Sequence, residues 1–389
     1  MKMKSYMLPA VIALTIFGAN AKNSQEGSGE TDGYRLVWQD LFDGGELRTD
    51  RWNIEVNGNG GGNNELQYYT NNEANVRVGD DGDGNGCLIL TAIRESYRNK
   101  SFTSGRVNSL GLTYFTHGKI EASIKMPVTN AGLWPAFWMM GNDYNEVNWP
   151  KCGETDIVEM GHATGIANGT SDRFFNGACH WGPSWPNASY AQETTKSYSL
   201  QDGEYHLFTV IWDEQYIKMY VDLDRQPKQT PYYKIDITAN DPDNDYSAGN
   251  YFHKDNFIIF DLAVGGGFPN IYSADGITAL NDDNNQQASM YINYVKVYQK
   301  GDDSESLTMQ APGDTEDTTG VSLAENDDDT NWVVSPDFIK AVGASSITLY
   351  DLSGNAVCNA TGDVISTASL ASGCYVARAG NSSKKVIIK

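Results

Sequence analysis

The sequence predicts an all-β fold, a β-sandwich or jelly roll, with a second, smaller β module at its C-terminal end. Three observations carry this. Short apolar runs recur between residues 34 and 300, several alternating apolar and polar residues, as strands with one wet face do. Glycine is abundant (39 residues), and clusters such as Asn57–Asn64 (NGNGGGNN) and Asp80–Gly86 (DDGDGNG) separate the runs, which marks turns. Helical periodicity is scarce, and many short strands of this kind close into sandwiches.

Taken in chain order, residues 1–21 read as a secretory signal peptide. Lys2 and Lys4 precede the apolar run Met7–Phe17, which is too short to span a bilayer, and Ala19-Asn20-Ala21 is a small-x-small cleavage site. Residues 22–33 are a short linker. The body, 34–300, holds the strand candidates Cys87–Ile93, Gly118–Met126, Leu207–Trp212, Tyr216–Val221, Phe257–Val264 and Met290–Tyr298. Residues 301–335 are rich in Asp, Glu, Thr, Ser and Gly and read as a solvated acidic linker. Residues 336–389 turn strand-like again at Ser346–Tyr350, Cys374–Ala377 and Lys385–Ile388.

Charge follows the same division. The chain carries −22 in all, but residues 301–339 hold 11 acids and no Lys or Arg, which leaves the body from residue 22 to 300 at −16. An acidic body argues against nucleic acid, whose phosphates want Lys and Arg clusters. Five cysteines, at 87, 152, 179, 358 and 374, cannot all pair and show no C-x-x-C spacing. Export makes disulfides possible, and Cys358 and Cys374 share the tail and could bridge it. No H-E-x-x-H, G-x-S-x-G or P-loop is present, and the five histidines lack ligand spacing.

The chemistry concentrates in Gly153–Gly161, GETDIVEMG, with acids at Glu154, Asp156 and Glu159. The β-branched pair Ile157 and Val158 makes the segment a strand. Glu154 and Asp156 then share a face, whereas Glu159, five residues on, points away. A β-bulge within 157–158 restores Glu159 to that face. The two Glu Cα atoms then lie ~13 Å apart, and a carboxylate gap of about 5 Å comes within reach, the separation at which two carboxylates serve a glycosidic bond by double displacement. Asp156 between them would hold a proton or hydrogen bond that keeps the two pKa values apart. Trp134 and Trp138 in Leu133–Met139 (LWPAFWM), with Trp149 before Pro150, supply flat apolar faces suited to sugar rings. A solvated acidic face and core packing of any one Trp are the plainer readings of the same residues.

The sequence resembles family 16 of the glycoside hydrolases, in its laminarinase-like branch. The family's E-x-D-x-x-E motif matches Glu154, Asp156 and Glu159. Seven further pieces follow the family's order: Asn63–Thr70, Ser104–Val107, Gly118–Ala122, Gly132–Met139, His206–Trp212, Asn256–Pro269 and Tyr291–Tyr298, while Trp149–Glu154 leads into the motif. The resemblance implies a jelly roll of two curved antiparallel sheets with a glucan groove on the concave face. It implies Glu154 as nucleophile, Glu159 as acid and then base, and Asp156 as their assistant. By motif position Trp134, Trp138 and Trp149 would line the minus subsites, Asn64 and Arg106 would bind hydroxyls there, and His180 with Trp181 would sit on the plus side.

Two departures stand out. Met160–His180 is longer and more polar than is usual. Relatives often bind a structural calcium, but Leu41 and Asn293 stand at the presumed ligand positions, so no cofactor is required and calcium is not favoured. The tail from about Ser335 resembles the C-terminal sorting domain of type IX secretion, on Ile347–Gly354, Leu370–Val376 and Lys384–Lys389. The expected partners are a β-glucan and the secretion machinery, and the expected state is a secreted or cell-surface monomer. The leading reading is an endo-β-glucanase for β-1,3 or mixed β-1,3-1,4 glucans. The alternatives are the same chemistry on agarose, carrageenan or porphyran, and a catalytically silent glucan-binding protein.

Overall fold

The computed structural model describes residues 33–309 without a break, then 332–334, 338–341, 343–350, 356–367, 370, 373–380 and 382–388. The predicted signal peptide and most of the linker after it lie outside the described residues. The chain divides into two compact units, Met1–Gly313 and Asp314–Lys389.

The first unit is a sandwich of two sheets. The ten-stranded sheet runs Tyr233–Asp236, Tyr216–Val221, His206–Trp212, Gly118–Lys125, Gln287–Gln299, Gly86–Tyr97, Lys100–Ser104 and Gln67–Tyr69, with Arg35–Asp40 and Val76–Asp80 paired beside this path. The nine-stranded sheet runs Ala188–Thr195, Phe174–Trp181, Glu154–Met160, Leu133–Gly141, Asn256–Val264, Arg106–Asn108 and Asn53–Ile54, with Thr113–Thr116 and Ser306–Met309 at its side. Among the described residues pairing is antiparallel except between Gln67–Tyr69 and Lys100–Ser104, which run parallel.

The core lies between the sheets. Leu88, Leu90, Ile120, Ile124, Val210, Val295 and Val297 come from one sheet, and Leu133, Phe137, Ile157, Val158, Phe175, Phe260 and Leu262 from the other. The alternation that marked these strands places one set of side chains here and leaves the opposite set of the nine-stranded sheet facing a groove.

The body extends past the boundary expected from composition. Residues 301–309 are not linker: Ser306–Met309 pairs with Thr113–Thr116. The Glu305 carboxylate accepts the backbone N–H groups of Lys300, Gly301 and Asp302 and closes the turn. The Ser306 hydroxyl donates to Asp255 at 2.7 Å. Of the rest of the expected linker, 310–331 and 335 lie outside the described residues, and Trp332–Val334 is not linker but a strand paired with Phe338–Ala341.

The second unit holds a three-stranded sheet, Trp332–Val334, Phe338–Ala341 and Val364–Ser366, and a four-stranded sheet ordered Ala356–Thr361, Ser346–Tyr350, Gly373–Ala379, Ser382–Ile388. Ile339, Ile347, Leu349, Ile365 and Val386 form its small core. The possible Cys358–Cys374 bridge does not form. Cys358 is a free thiol, and the strand Ser346–Tyr350 lies between the strands that carry the two cysteines. Strands two apart are about 9.5 Å from each other, beyond disulfide reach.

Candidate active site

The acid strand Glu154–Met160 sits between Leu133–Gly141 and Phe174–Trp181, near the middle of the nine-stranded sheet. Glycines with positive φ bound it, Gly153 at 73° and Gly161 at 94°. A Cβ on Gly161 would lie 2.0 Å from the Leu133 carbonyl oxygen, so only glycine lets the strand end this close to its neighbour.

The expected bulge is present. On one side Asp156 pairs with Ala178 and Glu159 with Asn176, three residues against two. On the other side Phe137 pairs with Val158 and Trp138 with Asp156. Ile157 is the residue that Leu133–Gly141 skips. Ile157 and Val158 both reach the core, and Glu154, Asp156 and Glu159 all face the groove. From the core side the Tyr232 hydroxyl donates to the Ile157 carbonyl.

The groove has a volume of about 770 Å³. At Glu159 the Trp134 indole donates to Oε1 at 3.0 Å and the Asn176 amide to Oε2 at 2.9 Å. At Glu154 the Trp149 side chain supplies the hydrogen bond. His180 Nε2 lies 3.5 Å from Asp156 Oδ2. Arg106 bonds Glu55 at 2.8 Å and lies 4.8 Å from the centre of the Trp138 ring. The Trp138 indole in turn donates to Asp261 at 2.6 Å, and the Tyr69 hydroxyl donates to the other oxygen of Asp261 at 3.1 Å.

Burial dominates the electrostatics. It pushes the Glu154 carboxyl up to about 7, against the lowering charge of Arg106 and the Trp149 hydrogen bond. Burial and the charge of Glu154 push Glu159 up to about 8. Asp156 is driven well above the carboxylate range by burial and then by its two neighbours. Asp261 rises to about 6, chiefly by burial. The strand therefore holds one ionised carboxylate more readily than two, and Arg106 favours Glu154 as its place. His180 is pulled down by burial and is neutral at neutral pH.

Most predicted residues meet in this groove: Glu154, Asp156, Glu159, Trp134, Trp138, Trp149, Arg106 and His180 all line it. Two do not. Trp181 is turned into the core, packs edge-on to Phe252 at 5.6 Å and donates to the Tyr246 carbonyl at 2.9 Å. It follows His180 on the strand, so it points to the other face. Asn64 has a φ of 58° in the glycine turn and is exposed, while its neighbours Asn63 and Glu65 reach the groove. The sequence reading also missed Asp261, Glu55, Asn176, Phe268 and Trp185. Asp261 carried a signal, since it is the one charge inside the apolar run Asn256–Val264.

Leu41 offers no side-chain oxygen, and the Asn293 amide donates to the Gly86 carbonyl at 2.9 Å. The pair offers one neutral amide oxygen and no carboxylate, and calcium affinity is tuned by the charge of its oxygen ligands. Glu154, Asp156 and His180 bring one ligand atom each within 4.8 Å of one another, a set with the donor types of a divalent cation.

Residues 59–236 match Glycosyl hydrolases family 16. A glucan endo-1,3-beta-glucosidase of Cryptopygus antarcticus is 32% identical, over 68% of this chain and 89% of its own length. The chain belongs to glycosyl hydrolase family 16. Among solved family 16 structures, a GH16 protein of the Bacteroides ovatus mixed linkage glucan PUL, in complex with a G4G4G3G product, is 40% identical with a TM-score of 0.58. The match covers 67% of this chain and all of that one. The clotting factor G alpha subunit of Tachypleus tridentatus is 33% identical over 72% of this chain, which spans 36% of that relative's length. The family 16 jelly roll thus corresponds to the body, and the second unit lies beyond the matched family region.

Proposed function

We propose that this family 16 chain is a retaining endo-β-glucanase that cleaves β-1,3 and mixed-linkage β-1,3-1,4 glucans. The observation that carries the reading is the bulge at Ile157, which turns Glu159 onto the face that Glu154 already occupies. The relatives' names agree with it, one being a glucan endo-1,3-beta-glucosidase and another a structure with a mixed-linkage product.

Glu154, held nearer ionisation by Arg106, attacks the anomeric carbon and forms the glycosyl-enzyme bond. Glu159, still protonated, gives its proton to the leaving glycosidic oxygen as that bond breaks. Glu159 then takes a proton from water. The hydroxide so formed bonds to the anomeric carbon, and Glu154 leaves as carboxylate. Asp156, protonated between them, adds no charge against the one that Glu154 carries.

Groove charge speaks for a neutral polymer. Among the described residues its lining includes seven carboxylates, a single Arg and no Lys, and sulfated chains want a basic groove. Incubating the purified chain with laminarin, lichenan, barley glucan and agarose and sizing the products tests the reading. Short oligosaccharides from the first three are expected. Cleavage of agarose alone, or turnover unchanged in Glu154→Gln, overturns it. We propose further that residues 1–21 and 336–389 are export addresses. Removing 336–389 should stop the protein reaching the cell exterior, and unimpaired release speaks against this.

A further inference from the structure

We propose that the loop between Phe174–Trp181 and Ala188–Thr195 is a rigid arm that presents Trp185 as a stacking platform for the sugar unit on the leaving-group side of the cut. The proposal rests on the glucanase reading and names a subsite of that same groove. Trp185 is 75% exposed, an unusual state for an indole in a folded body. Its ring stacks at 6.1 Å and 27° on Trp149, which itself bonds Glu154. Both rings line the groove, so the open face of Trp185 continues the wall that begins at the nucleophile.

The arm is held from below. Trp181 donates to the Tyr246 carbonyl, and the Tyr246 hydroxyl reaches the Pro186 carbonyl at 3.4 Å. Gly182, at a φ of 133°, lets the Tyr246 ring lie where a Cβ would come within 3.0 Å of it. Asn187 is tied to His180 Nδ1 at 3.2 Å and to the Ala188 carbonyl at 3.1 Å. A platform ordered before binding loses little entropy when a sugar stacks on it. Trp181, sought as a binding residue, is here a positioning residue.

The side of the cut follows from the register. Glu154 lies opposite His180, and His180 opposite Ser189, so Trp185 belongs to the half that lies across the acid strand from Arg106 and Asp261. Glu159, which protonates the leaving oxygen, is held from both halves, by Asn176 in this one and by Trp134 in the other, and that other half carries Trp138 and Arg106, expected on the minus side. Asn176, His180, Asn187 and Ser189 offer neutral hydrogen-bonding groups beside one carboxylate, Glu193. That lining takes an uncharged hexose.

An acceptor sugar in this half attacks the glycosyl-enzyme in place of water. Its hydroxyl oxygen bonds to the anomeric carbon, the bond to Glu154 breaks, and Glu159 takes the hydroxyl proton. Transfer and hydrolysis thus divide one intermediate, and their ratio reads acceptor binding with an internal reference. The experiment supplies barley glucan as donor and excess cellobiose as acceptor, and compares full-length wild type, Trp185→Ala and Trp185→Tyr by mass spectrometry of the products. Trp185→Ala is expected to lower the transfer-to-hydrolysis ratio about tenfold, and Trp185→Tyr to keep most of it. A ratio unchanged in Trp185→Ala, or no transfer by the wild type at saturating cellobiose, overturns the proposal. Hydrolysis of the donor by the wild type tests the glucanase reading separately, so the two fail independently.

Discussion

The Tyr232 hydroxyl donates a hydrogen bond to the carbonyl of Ile157, the residue that the bulge adds between Asp156 and Glu159. One core side chain therefore holds the irregularity on which the alignment of the two glutamates depends. Tyr232 is buried and packs edge-on against Phe175 at 4.9 Å, so Tyr232→Phe keeps the ring and removes only the donor. An orphaned buried carbonyl costs about 1–3 kcal/mol. Thermal unfolding should show that loss, and steady-state kinetics should show kcat falling more than KM rises. A variant that loses stability but keeps kcat would limit Tyr232 to the core.

The pH profile follows from the two carboxyls. With Glu154 raised to about 7 and Glu159 to about 8, kcat/KM should be bell-shaped, limited by protonation of Glu154 on the acid side and by ionisation of Glu159 on the alkaline side. Arg106 lowers the Glu154 value, so Arg106→Gln should move the acid limb to higher pH. Asp261 raises both, so Asp261→Asn should move both limbs down. Limbs that move the opposite way in either variant contradict this electrostatic ordering.

Stability should depend on pH through the same acids. Their folded pKa values lie above those of the unfolded chain. The favourable contribution is therefore complete below about 4 and is lost as pH rises through the folded values near 7 and 8. Glu159→Gln removes one group from that penalty. Calorimetry should find its Tm raised at pH 8.5, by roughly 2–4 °C for each kcal/mol relieved, and nearly unchanged at pH 4. A Tm gain larger at pH 4 would reverse the sign.

Gly161→Ala should fold poorly. The substitution sets a Cβ 2.0 Å from a backbone oxygen at a φ of 94°, and the strained backbone alone costs about 1–3 kcal/mol. A lowered Tm and lost activity are expected together, whereas a variant with wild-type Tm contradicts the close approach of this strand end to Leu133.

Much of the site was legible before any coordinates, because strand alternation is strict. Three acids spaced two and three apart could share a face only through a bulge at 157–158, and the bulge is there. The same alternation, applied to His180 and Trp181, would have separated them; motif position alone grouped them on one side. Asn64 was lost to a turn in which Gly60, Gly61, Gly62 and Asn64 all have positive φ, where no periodicity fixes a side chain's direction. Composition over 301–335 hid the short edge strand Ser306–Met309, since an acid such as Glu305 can cap a turn as readily as it solvates a linker. Asp261 was legible as the one charge inside the apolar run Asn256–Val264, whereas Trp185 needed a contact across a loop that no local pattern encodes.

The double displacement at Glu154 is tested most directly by the anomeric form of the first product. Proton NMR during early hydrolysis of barley glucan, before mutarotation, should show the β-anomer of the new reducing end appear first. Initial release of the α-anomer would mean inversion and would contradict a glycosyl-enzyme on Glu154.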